Sequence, residues 1–226
     1  MPSSDATCWT VVRGAASGDS SARREFARRY LPVVRSYLEA RWRHSHLRGE
    51  LDDAVQEVFF DFFRRDGALA RVDAERGGFR GFLYGVTRKT ALKVETRRAR
   101  RKEMQPTSEF PLDQIEGEEG NLSAIFDRAW ARAIMEEAAE RQKENALAAD
   151  DQARQRIELV RLRFEEDMPI RDIARLWDTD AATLHREYAK ARKEFRAALT
   201  QVVAFHHPGL AREVEEECEH LLDLLR

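Results

Sequence analysis

The sequence predicts an all-α protein, and three observations carry that expectation. Ala, Leu, Arg and Glu dominate the 226 residues while Gly is scarce, at 11, which favours helix over strand and turn. No stretch alternates apolar and polar residues long enough to read as a strand. Apolar residues recur instead at spacings of three and four, the signature of a helix with one buried face.

The elements follow in chain order. From Asp19 the residues Ala22, Phe26, Tyr30, Val33, Val34, Tyr37 and Leu38 trace one amphipathic helix, and Pro32 within it predicts a break or kink. In a second helix, Asp52 and Asp53 sit at the start, where acids suit the helix dipole. Val55, Val58, Phe59 and Phe62 follow at i, i+3, i+4 and i+7, and Arg64, Arg65 and Gly67 supply a stop. A loop from Ala68 to Gly78 leads to a third helix from Phe79 onward. Residues 104–123 hold two prolines, two glycines and several acids with no sustained period, the composition of a linker. Helical spacing resumes through Ile125, Phe126, Trp130 and Ile134 and continues to Ile157, Val160, Leu162 and Phe164.

Between Met168 and Leu199 the pattern is that of a short helix, a polar turn and a second helix. Pro169 suits a first turn, and Ile170, Ile173, Ala174 and Trp177 make an apolar stripe. Asp178, Thr179 and Asp180 form the turn, with Asp180 placed to cap the next helix. Ala181, Leu184, Tyr188 and Ala191 point inward in that helix, leaving Thr183, His185, Arg186, Lys190, Arg192 and Lys193 toward solvent or a partner. This is the layout of a helix-turn-helix whose second helix reads the major groove.

Charge is unevenly spread although the net value is only −2. Residues 1–103 carry 22 basic against 14 acidic side chains, 104–150 carry 4 against 11, 151–200 carry 11 against 10, and 201–226 carry 2 against 6. Within Arg88–Lys102 eight residues are basic and only Glu95 is acidic. The first half is therefore a candidate polyanion surface. There is no apolar run long enough to span a bilayer, and the polar start lacks a signal-peptide pattern, so a cytoplasmic location without membrane contact is expected. Cys8 and Cys218 allow one optional bridge and no disulfide framework. No phosphate-cradling glycine loop, nucleophile elbow or HExxH motif occurs, so neither catalysis nor a cofactor is expected. His206, His207, Cys218 and His220 match no standard zinc spacing, and no metal site is assigned to them.

Three of these stretches resemble, in family order, the motifs of bacterial sigma factors of the extracytoplasmic-function type. Asp53-Ala54-Val55-Gln56-Glu57-Val58-Phe59 is similar to the polymerase-binding motif. Phe79-Arg80-Gly81-Phe82-Leu83-Tyr84 is similar to the promoter-melting segment. Ile173-Ala174 through Thr183-Leu184 to Ala191-Arg192 is similar to the terminal helix-turn-helix. The resemblance implies two helical domains joined by an acidic linker: 1–103 for polymerase and minus-ten binding, 104–123 as linker, and 124–200 for the minus-thirty-five element. The remainder, 201–226, is an acidic helical extension beyond the family's usual end.

By that resemblance Asp53, Gln56 and Glu57, with Phe60 beside them, dock on core RNA polymerase. Phe79, Phe82 and Tyr84 contribute aromatic surface for a base drawn out of the duplex. Arg80, Arg88, Lys89, Lys93, Arg97 and Arg98 neutralise promoter phosphates, and the loop Ala68–Gly78 lies where the family captures a flipped base. Core packing is the competing reading for Phe79 and Phe82. Thr183, His185, Arg186 and Lys190 face the minus-thirty-five groove. Phe82 stands where the family usually has Trp, Lys89 where it often has Asn, and Glu187 where a basic residue is usual. Glu187 either accepts from a cytosine amino group or pairs with an Arg. The implied partners are core polymerase, promoter DNA and an anti-sigma factor; the alternative is a stand-alone helix-turn-helix regulator with a protein-binding first domain. In the extension, Leu210, Val214, Cys218, Leu221 and Leu225 form one apolar face opposite the acids of Glu213–Glu219.

Overall fold

The computed structural model describes residues 7–72, 78–103 and 119–225, and among them every regular element is helical. The helices are α1 (Cys8–Ser17), α2 (Ser20–Arg41), α3 (Leu51–Phe63), α4 (Phe79–Glu103), α5 (Glu119–Ala148), α6 (Asp151–Phe164), α7 (Ile170–Leu176), α8 (Ala181–His206) and α9 (Ala211–Asp223). Short 3-10 turns precede α3 at His46–Glu50 and follow it at Leu69–Arg71. No described helix is long and apolar enough to cross a membrane.

The chain divides into two compact units. The first comprises residues 1–133, 205–208 and 219–226, and the second 134–204 and 209–218.

In the first unit, the seven apolar positions that spacing assigned to α2 mostly turn inward: Phe26, Tyr30, Val33, Val34, Tyr37 and Leu38 are all buried. Asp19 starts that helix by accepting a 2.6 Å bond from Ala22 N–H, satisfying a donor that the first turn cannot pair internally. The expected break at Pro32 does not occur. The helix runs unbroken from Ser20 to Arg41, and Pro32 is exposed, so the missing backbone bond falls on the solvent side and the buried face stays intact. Val55, Val58 and Phe62 of α3 and Phe79, Leu83 and Val94 of α4 complete this packing. Leu122, Phe126 and Trp130 enter the same core. Trp130 lies parallel to Tyr30 with ring centroids 6.0 Å apart, and Phe126 meets Tyr37 and Tyr84 edge-on. Helix α5 thus begins at Glu119, inside the stretch read as linker; residues 104–118 of that stretch lie outside the described residues.

The helix α1, which the sequence reading left unassigned, buries Cys8, Val12 and Ala15 and ends at Gly18, whose φ of 97° is a left-handed cap that glycine adopts without steric cost. Gly67, by contrast, has no left-handed φ. Helix α3 ends earlier, where Arg64 turns extended with ψ 155°, and Gly67 lies in the tight turn that follows, where a Cβ would lie 2.3 Å from the Asp61 carbonyl oxygen.

In the second unit, Leu159 and Leu162 of α6, Ile170, Ile173 and Ala174 of α7 and Leu184 of α8 form a small apolar core, with Trp177 and Tyr188 packed against it. Pro169 is the residue before α7, and its carbonyl accepts from Asp172 N–H and Ile173 N–H. Asp167 and Asp178 on either side of α7 hold φ near 48° and 49°, the left-handed conformation that Asp tolerates better than most residues. Of the five positions assigned to the apolar face of the extension, Val214 and Cys218 of this unit and Leu221 of the first unit are buried. Leu210 is 73% exposed and precedes α9, and Leu225 follows it. Both cysteines are free and buried.

Candidate functional site

Helix α3 buries Ala54, Val55, Val58 and Phe62 and turns Asp53, Gln56 and Phe60 outward. Phe60 is 71% exposed, although its three phenylalanine neighbours all pack inward. Phe59 and Phe62 contact Phe26, and Phe63 lies under the Arg23 guanidinium. Glu57 is on the same side of the helix but half-buried. Its carboxylate receives Lys93 Nζ at 2.8 Å and Arg97 Nη2 at 3.0 Å, both from α4. Burial opposes its charge, but the bonds from Lys93 and Arg97 outweigh that and hold its carboxyl below the usual carboxylate range.

Helix α4 carries two kinds of side chain. At its start Phe79 is 1% exposed and wedged among Trp9, Phe26, Tyr30 and Trp130. It is core, and in this arrangement it cannot reach a nucleic acid. Phe82 is half-buried, 6.0 Å from both Phe62 and Phe79. Tyr84 is half-buried against Tyr37 and Phe126. Arg80 lies 3.5 Å from Asp127 and Arg88 is half-buried. Further along, Lys89, Lys93 and Arg97 are exposed, and Arg98 is 3.6 Å from Glu50. The loop Ala68–Gly78 buries Ala68 and Leu69, and its residues 73–77 lie outside the described residues.

Glu95, the single acid of the basic stretch, turns inward. It is buried and accepts from Arg41 Nε at 2.7 Å, Arg41 Nη2 at 3.0 Å and Trp42 Nε1 at 2.8 Å. It therefore clamps α4 to the end of α2, which fixes the rotation of α4 and with it the side on which Lys89, Lys93 and Arg97 emerge. Sequence reasoning missed this role. The available signal was one acid among eight cations at a position three residues after Leu92 and one after buried Val94.

On α8, Asp180 caps the first turn by accepting from Thr183 N–H at 2.9 Å. That bond lowers its carboxyl below the ordinary value. Thr183 Oγ1 also donates to Asp180 and accepts from Arg186 Nη2 at 2.9 Å. The hydroxyl is thus already engaged within the helix. His185, Arg186 and Lys190 are exposed. Glu187 accepts from Lys190 Nζ at 2.7 Å and from Arg156 Nη1 of α6 at 3.2 Å. Arg156 also reaches Glu194 at 2.7 Å, so one arginine of α6 braces two turns of α8.

His206 is buried in the first unit, its Nδ1 3.2 Å from Tyr30 Oη, while His207 and His220 are exposed. Among the described residues no three His, Cys, Asp or Glu side chains gather as a metal-binding group.

No protein-family model matches the chain, nor does any curated protein or solved structure.

Proposed function

We propose that this chain is a sigma factor of the extracytoplasmic-function type, binding core RNA polymerase, directing it to promoters and helping to open the DNA. The observation that carries the reading is the outer edge of α3. Asp53, Gln56 and Phe60 stand exposed on a helix whose opposite face is wholly apolar and buried. An exposed phenylalanine ringed by an acid and an amide is the composition of an interface hot spot with a polar rim. A simple regulator without a protein-binding first domain has no need of it.

In this reading the edge docks on basic clamp helices of the polymerase's largest subunit. Lys89, Lys93, Arg97 and Arg98 then meet phosphates of the minus-ten region, with Arg80, Phe82, Tyr84 and Arg88 at the melted strand, and Phe79 supports them from the core. The pair α7 and α8 acts as the helix-turn-helix, with His185, Arg186 and Lys190 toward the minus-thirty-five groove. Thr183 contributes by holding Arg186 in place. Polymerase supplies the catalytic metals, the protein itself performs no catalysis, and it works in the cytoplasm. The family resemblance adds an anti-sigma factor as a partner.

The test is run-off transcription from a promoter library with purified core polymerase, comparing wild type with Gln56→Ala/Phe60→Ala. Glu57 is left intact because it also holds Lys93 and Arg97. The wild type is expected to start at defined sites, and the variant to lose at least about tenfold, the usual effect of truncating an aromatic hot spot. If the wild type starts transcription nowhere, with or without residues 209–226, the regulator reading replaces this one.

A further inference from the structure

One carboxylate ties together the two surfaces just described. Lys93 and Arg97 are four residues apart, so both project from the same side of α4, and Glu57 of α3 spans them. Its Oε1 is 2.8 Å from Lys93 Nζ, and its Oε2 is 3.0 Å from Arg97 Nη2. The three side chains differ in freedom: Glu57 is 22% exposed, Arg97 44% and Lys93 68%. The acid is therefore the more enclosed partner and the two cations are the more open to solvent. Ion pairs this exposed are weak, so a phosphate can compete for the cations and a basic surface can compete for the acid.

We propose that Glu57 is a charge gate: in the free chain it occupies Lys93 and Arg97, and a basic polymerase surface that engages Glu57 releases both cations to promoter phosphates. This rests on the sigma reading above. It makes polymerase and DNA binding reciprocal, because whatever strengthens one by freeing a shared group strengthens the other by the same factor. It also gives one residue two jobs that the motif alone does not separate.

The test is fluorescence anisotropy of the full chain, without polymerase, on a labelled promoter duplex over a range of salt concentrations. Four proteins form a cycle: wild type, Glu57→Gln, Lys93→Gln/Arg97→Gln, and the triple variant. Glutamine keeps the size of Glu57 and removes its charge. Glu57→Gln is expected to tighten DNA binding by about threefold to tenfold and to steepen the salt dependence by about one to two in log–log slope, one step for each cation released. In the Lys93→Gln/Arg97→Gln background the same change is expected to do nothing. An equal gain in both backgrounds, which marks a general loss of negative charge, overturns the gate, and so does no gain in either. Initiation by the wild type with core polymerase is scored separately. Initiation with an additive cycle removes the gate and leaves the sigma reading standing. A coupled cycle without initiation removes polymerase as the trigger and overturns the proposal as stated.

Discussion

Replacing Glu95 by alanine removes three hydrogen bonds at once and leaves the Arg41 guanidinium, whose side chain is 1% exposed, without its carboxylate. Among the described residues its remaining hydrogen-bond partner is the Tyr37 hydroxyl, 3.3 Å from Arg41 Nη1. Breaking one side of a buried ion pair in this way costs about 3–5 kcal/mol. That is a large part of the roughly 5–15 kcal/mol that separates folded from unfolded chains. At about 2–4 °C per kcal/mol for a chain of this size, the melting temperature should fall by roughly 6–20 °C. Urea unfolding followed by far-ultraviolet circular dichroism measures the loss. A companion variant, Arg41→Met/Glu95→Met, discards both charges and fills the space with apolar side chains. It should cost less than Glu95→Ala alone, because no charge is left stranded. A loss below about 1 kcal/mol for Glu95→Ala, or a double variant less stable than the single one, would refute the clamp between α2 and α4.

Burial, with a smaller push from Arg29, lowers the His206 pKa to about 3, against about 6.5 in an unfolded chain. Below pH 6.5 the unfolded chain gains a proton that the folded one refuses, so this contribution to stability is complete above 6.5. It is lost at about 1.4 kcal/mol per pH unit as pH falls toward 3. Comparing wild type with His206→Gln in urea at pH 7 and pH 5, the difference between them should shift by about 2 kcal/mol; parallel profiles contradict it. Gly67→Ala forces a methyl group to within 2.3 Å of the Asp61 carbonyl oxygen and 2.8 Å of that of Arg64, and should destabilise by about 1–3 kcal/mol. An unchanged urea midpoint would show that the turn yields freely.

Much of the helix pattern was legible because it depends on local periodicity. The apolar positions of α2, α3 and α7 and the Asp180 cap follow from spacing and side-chain chemistry within one or two turns. Helix α1 carries the same local signal in Cys8, Val12, Ala15 and Gly18. What periodicity could not give was the partner of each face. Trp130 and His206 lie 100 and 176 residues from Tyr30 in the sequence, yet both meet it in one core, and no window along the chain joins them. Pro32 shows the converse: of the break or kink expected there, the break does not occur. A proline rule stated for an average helix interior does not say which side of the helix the proline occupies, and on the exposed side the lost bond faces water.

The charge count is blind to partners for the same reason, and with more consequence for the candidate site. Summing charges along the chain treats every lysine and arginine of α4 as available to a polyanion. In the fold, Lys93 and Arg97 share Glu57 from 36 and 40 positions upstream, Arg98 lies beside Glu50, and on α8 Lys190 is held by Glu187. Each acid is an internal competitor for phosphate. A phosphate that displaces such an acid exchanges one ion pair for another, so the gain from each contact is less than for a bare cation. In the proposed reading, the effective footprint of the free chain on DNA is therefore smaller than its basic residues imply. A basic partner surface enlarges it by taking the acids, so that the strength of DNA binding follows the presence of that partner more closely than the number of cations.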